Sequence, residues 1–128
     1  MVVGSAGYPG AALLVASAAL RTGIGMARLV SVDAVAELML AARPEVVRGS
    51  VADRCDAWVL GCGVAVEPAS AEASWIAAVS SSVAAPIVVD AGAPTATGDG
   101  NFARDTSARL PNPRRAGHTV LVARNYLT

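Results

Sequence analysis

Short apolar blocks separated by glycine- and proline-bearing turns run along this chain, and the spacing within them shifts between strand-like and helix-like. Val2-Val3 read as the last residues of a strand whose beginning is missing. Pro9 or Gly10 then opens a helix to about Arg21, with Leu13, Leu14, Ser17 and Leu20 expected along one side. Gly23 ends it, because glycine readily takes the left-handed backbone just past a helix. Met26 to Val30 read as a short buried strand, and Asp33 as the N-cap of a second helix through Leu40. Pro44 limits that helix, and Val46-Val47 suit a brief edge strand.

The second half of the pattern repeats the alternation. Ala57-Trp58-Val59-Leu60 is an apolar run that stops at Gly61-Cys62-Gly63. Pro68 and Ser70 introduce a helix carrying Trp75, Ile76, Val79 and Val83, a stripe expected to face the core, with Ser80-Ser81-Ser82 as its end. After Pro86, Ile87-Val88-Val89 suit a strand buried on both faces. Strand and helix alternate in the manner of an α/β protein with a mostly parallel sheet and flanking helices. From Pro94 to Gly117 the chain turns to Thr, Gly, Asp, Pro, Asn and Arg without hydrophobic period, so residues 94–128 are expected to form an irregular, poorly ordered tail. Thr119 to Ala123 is the one stretch there suited to a strand.

Composition narrows the class. At 128 residues the chain fits one domain, and its 54% hydrophobic content leans on alanine, with only 4% aromatics. The formal charge is zero, from ten basic and ten acidic residues, so bulk charge draws it to neither nucleic acid nor anionic lipid. The apolar stretch 11–20 is far shorter than the roughly 18 residues of a membrane span, and it lacks a basic start and cleavage site. A soluble, cytoplasmic protein is the expectation. Cys55 and Cys62 are the only cysteines, without metal-ligand spacing, and are expected to be buried thiols.

The chemistry lies in the turns. Gly4-Ser5-Ala6-Gly7-Tyr8-Pro9-Gly10-Ala11-Ala12 is a flexible loop running into a helix, and backbone N–H groups at a helix start are a natural seat for phosphate. Gly61-Cys62-Gly63 and Asp90-Ala91-Gly92 also follow strand-like runs, so all three corners would reach one edge of a parallel sheet. The Gly4, Gly7, Gly10 spacing differs from the Gly-x-Gly-x-x-Gly of a dinucleotide-binding turn.

These segments resemble the ADP- or ATP-dependent NAD(P)H-hydrate dehydratases, a branch of the ribokinase-like superfamily. The glycine loop continues into Ala18-Ala19-Leu20-Arg21-Thr22-Gly23-Ile24-Gly25, similar to the family's first helix and its Arg-x-Gly-x-Gly. Ala42-Arg43-Pro44-Glu45-Val46 looks like its Arg-Pro-Glu segment. Asp56-Ala57-Trp58-Val59-Leu60-Gly61-Cys62-Gly63 is similar to its Asp-Ala-(apolar)₃-Gly-Pro-Gly-Leu-Gly turn, and Val88-Val89-Asp90-Ala91-Gly92-Ala93 to its strand ending in Asp-Ala-Asp/Gly-Ala. The likeness covers residues 2–93, so residues 1–93 would be an incomplete ribokinase-like domain, the family's N-terminal half.

The resemblance implies repair of hydrated NADH or NADPH. In the family a nucleotide, ADP or ATP with Mg²⁺, donates phosphate to the hydroxyl of the damaged nicotinamide ring, and phosphate then leaves to restore the double bond. Gly10, Ala11, Gly63, Ala65 and Asp90 would contact the substrate, a small-molecule nucleotide. Family members form homo-oligomers, with a tetramer the expected form. Cys62 stands where the family has proline, and Ala65 where it has glycine. The sequence holds no Thr-Pro-His-x-Gly-Glu segment, no lysine and no late Gly-Thr-Gly-Asp helix start, whose aspartate is the family's catalytic base. Ala96-Thr97-Gly98-Asp99 comes too early and leads into no apolar helix, and Gly117-His118-Thr119 has the wrong neighbours for the substrate histidine. Glu45 and Glu67 read as surface groups. A shifted or truncated reading frame after Ala93 is the expected cause of the change in composition. The readings are therefore an ADP-dependent dehydratase impaired in this chain, a noncatalytic remnant of that domain, or another ribokinase-like small-molecule kinase.

Overall fold

The computed structural model describes residues 1–64, 67, 69–83 and 85–93, together with the backbone of residues 121–122. In chain order the elements are α1 (Pro9–Arg21), β1 (Arg28–Leu29), α2 (Asp33–Ala42), β2 (Val47–Arg48), β3 (Trp58–Leu60), α3 (Ala71–Ser82), β4 (Ile87–Val89) and β5 (Leu121–Val122). Every strand pairing among the described residues is parallel. Three helix ends follow local chemistry. Pro9 occupies the first turn of α1, where its missing N–H costs nothing. Gly23 follows the α1 C-cap at φ +82°. The Ser70 hydroxyl accepts from the Ala73 N–H at 3.1 Å and caps α3.

The first three residues are the middle of the sheet. Val2 bridges Val30 on one side and Leu60 on the other. The Val30 N–H donates to Met1 O and the Val2 N–H to Val59 O, both at 2.9 Å. Residues 1–3 thus join β1 and β2 on one side to β3, β4 and β5 on the other. The order across the sheet is β2, β1, residues 1–3, β3, β4, β5. β4 meets β3 with Val59 opposite Val88, and β5 meets β4 with Leu121 opposite Val88. The strand-like stretch at 119–123 therefore pairs at its centre with β4.

The chain first builds outward from residues 1–3 in one direction and then returns to build in the other. Right-handed crossovers consequently put α1 and α2 on one face and α3 on the opposite face. Alternation along the strands matches this. Val2, Trp58, Leu60, Ile87 and Val89 face the α3 side, where they pack with Ile76 and Val79. Val3, Leu29 and Val59 lie on the other side, with Ala12, Ala16, Val35 and Met39 of the two helices. The loop between β2 and β3 crosses the α3 side, where Val51 and Cys55 join the core. It is pinned by the Arg28–Asp53 ion pair at 3.1 Å and by the Ser50 N–H, which donates to the Asp53 carboxylate at 2.8 Å.

Several expectations are corrected. The buried stripe of α1 is Ala12 and Ala16, flanked by Leu13 and Leu20, whereas Leu14 is 75% exposed. Small side chains win because the helix sits close on the first loop: a Cβ at Gly4 would come within 2.8 Å of the Ala12 Cβ. β1 is shorter than Met26 to Val30, and Met26 is exposed because it precedes the first ladder bonds. Val32, not Asp33, is the N-cap of α2; Asp33 is already helical, and its carboxylate pairs with Arg48 of β2. β4 is covered on one face only, with Val88 40% exposed, because the helices opposite α3 lie over the other half of the sheet. Cys55 and Cys62 are half-buried, not buried.

Candidate functional site

The three small-residue corners meet at the edge where the strands end. The first, residues 4–11, leaves the central segment; the second, 61–64, leaves β3; the third, 90–93, leaves β4. Corner one is tied to corner two by the Gly4 N–H, which donates to Cys62 O at 2.7 Å. Corner two is tied to corner three by the Gly92 N–H, which donates to Gly61 O at 3.3 Å, and by the Cys62 thiol, which donates to Asp90 Oδ2 at 3.2 Å. Residues 1–3 and β3 are also where the direction of strand addition reverses. In open α/β sheets that reversal opens a crevice beyond the strand ends.

Packing between the corners explains their composition. A Cβ at Gly63 would run into the Ala11 side chain and reach 3.1 Å from Tyr8 O. A Cβ at Gly61 would strike the Asp90 carbonyl oxygen and come within 2.7 Å of the Ala93 N. Both glycines also have positive φ, +69° and +106° respectively, which a side chain would strain. Ala91, in the third corner, holds φ +48° without being glycine, a strained backbone of the kind held at ligand-facing turns.

The expected contact residues fall on this edge with different surroundings. Gly10 lies in the first turn of α1 and is exposed; a Cβ there would meet nothing within 4 Å, and the same holds for Gly7. Packing among the described residues therefore does not require glycine at these two positions. Ala11 is half-buried and turned against Gly63, so it forms part of the joint between corners. Asp90 is half-buried at the end of β4, with its carboxylate on the Cys62 thiol. Ala65, Asp99 and His118 lie outside the described residues. Glu45 and Glu67 are exposed, and Glu45 approaches Arg43 at 3.7 Å.

Two residues gain importance that the sequence pattern did not reveal. Ser5 is buried, and its hydroxyl has no hydrogen-bond partner among the described residues. It sits in the turn closed by the Tyr8 N–H on Ser5 O, immediately before α1, and no side chain caps that helix. A buried orphan hydroxyl beside an uncapped helix start suits an anionic group. Cys62 is the other. Burial first, then the Asp90 carboxylate, pushes its thiol up to about 11, so it remains a protonated donor at neutral pH. Its contact with Asp90 spans 28 residues of sequence and has no local signature.

No cluster of three His, Cys, Asp or Glu side chains suited to a metal ion occurs among the described residues. No helix among them is long and apolar enough to cross a membrane. The sequence profile of the NAD(P)H-hydrate dehydratases matches residues 1–121. Neither curated proteins nor solved structures gave a match.

Proposed function

The chain belongs to the NAD(P)H-hydrate dehydratase family, and from that premise we propose that its three corners form the substrate side of a hydrated-nicotinamide-nucleotide site in a ribokinase-like version of the α/β fold. The observation that carries the proposal is the junction at the strand-order reversal. Corners one, two and three are joined there by backbone and side-chain bonds, while the described residues leave the surface over Gly7 and Gly10 open.

In this reading a phosphate of the substrate lies over the start of α1, near Ser5, where helix N–H groups favour negative charge. Gly10 leaves room for the ligand, Ala11 and Gly63 form the floor, and Asp90 borders the ring to be repaired. The family reaction is an ADP-dependent dehydration, with ATP as the alternative donor, in which phosphorylation turns a poor leaving hydroxyl into a good one. The donor and its Mg²⁺ belong to that activity. The described residues offer the metal no three-ligand cluster, so no step is assigned to it.

The 128 residues contain no Gly-Thr-Gly-Asp helix start to supply the base. By themselves they are therefore proposed to bind the substrate without dehydrating it at the family's rate. Two measurements test this. Calorimetric titration with NADPH should give saturable binding, and its absence would leave the noncatalytic remnant. A coupled assay with hydrated NADH, ADP and Mg²⁺ should show no regeneration of NADH above background. Regeneration would refute the claim of impairment, and phosphorylation of an unrelated small alcohol would favour the other ribokinase-like kinase.

A further inference from the structure

One residue reaches both neighbouring corners. The Cys62 carbonyl accepts from Gly4, and its thiol donates to Asp90. Among the described residues, this thiol is the only hydrogen-bond donor to the Asp90 carboxylate. Resting on the nucleotide reading above, we propose that Cys62 is a positioning residue of this site: its thiol fixes the orientation in which the Asp90 carboxylate meets a nicotinamide-nucleotide ligand.

The physical case has three parts. An aspartate at a strand end turns freely about its side-chain bonds, and a ligand that needs one orientation must bear the cost of ordering it. A thiol is a weak donor, but an ionised carboxylate is a strong acceptor, and both groups are half-buried. The turn carrying the thiol cannot drift, because Gly61 and Gly63 are packed against Asp90 and Ala11. Raised thiol pKa keeps the donor proton in place across neutral pH.

The test uses a Cys55→Ser background, which leaves one thiol. First, the alkylation of Cys62 by iodoacetamide is followed against pH, with and without Asp90→Asn. Removing the carboxylate's charge should lower the midpoint from near 11. It should also speed alkylation at pH 8 by about 3- to 10-fold, since each unit of pKa changes the thiolate fraction tenfold. An unchanged midpoint and rate would overturn the contact. Second, NADPH affinity is measured by calorimetry in Cys62→Ser and Cys62→Ala. Serine retains a donor and should bind within about twofold of the parent, whereas alanine should bind about 3- to 10-fold more weakly. Equal affinity in the alanine variant, or equal weakness in both, would overturn the positioning role. If the parent chain itself fails to bind NADPH, the nucleotide reading falls together with the ligand half of this inference, and the alkylation arm still decides the contact.

Discussion

Gly10 allows stability and ligand recognition to be separated by sign. It occupies the first turn of α1, its φ is not positive, and a Cβ there meets nothing within 4 Å. Glycine within a helix is less stable than alanine by about 0.5–1 kcal/mol, because its unfolded chain has more freedom to lose. Gly10→Ala should therefore raise the melting temperature by about 2–5 °C. Gly10→Leu should do nearly as well, since leucine's helix propensity is close to alanine's. If the open space over Gly10 is the ligand's, the two variants part company in binding. A methyl group fits at the margin, whereas an isobutyl group overfills the space at a cost of about 1–3 kcal/mol, or roughly 5- to 150-fold in affinity. Thermal unfolding and calorimetric titration with NADPH read the two quantities on the same samples. Gly10→Leu that is stabilised yet binds NADPH as tightly as the parent would refute the placement of the ligand. Gly10→Leu that melts early would refute the open surface itself.

Other substitutions test the scaffold. Gly61→Ala combines positive-φ strain with a collision against the Asp90 carbonyl and the Ala93 backbone, so urea denaturation should show a loss of about 3–5 kcal/mol. Val88→Thr should change stability by no more than about 0.5 kcal/mol, and Val89→Thr should cost about 1–3 kcal/mol, because one is exposed and the other fully buried; equal costs would mean that β4 is covered on both faces. The raised Cys62 thiol makes the folded state hold its proton more tightly than the unfolded state does. Its contribution is complete below pH 9 and lost as pH rises toward about 11. Because the residue is half-exposed, the loss should be only about 1 kcal/mol, and Cys62→Ser should remove this part of the pH dependence measured by urea denaturation.

What the sequence revealed, and what it hid, follows from the range of the forces involved. Helix ends were legible because Pro9, Gly23 and Ser70 act within a few residues of themselves. Asp33 misled for the same reason: it has the chemistry of a cap, but a partner 15 residues away, Arg48, holds its carboxylate. The buried face of α1 is not legible locally, because leucine is the better hydrophobe and alanine the better fit. Only the tertiary approach of Gly4 to Ala12 decides between them. The exposure of Val88 is hidden because an unbroken apolar run does not say whether a helix covers each face. Of the site, the three glycine corners could be seen, but neither the buried Ser5 hydroxyl nor the Cys62–Asp90 pair could.

The position of residues 1–3 is the step that turns separate corners into one site. A stub of strand at the chain's start could have joined an edge, and corner one would then have stood away from corner two. Placed between β1 and β3, it makes corners one and two immediate neighbours, and β4 adds the third beside them. With strands so closely spaced, adjoining loops can pack only if their side chains are nearly absent. The small residues at 4, 11, 61, 63, 92 and 93 are thus a demand of the junction before they are a demand of any ligand. Gly7 and Gly10 are the exceptions, small without a neighbour among the described residues to require it, and for that reason they mark the ligand side of the loop more clearly than the buried glycines do.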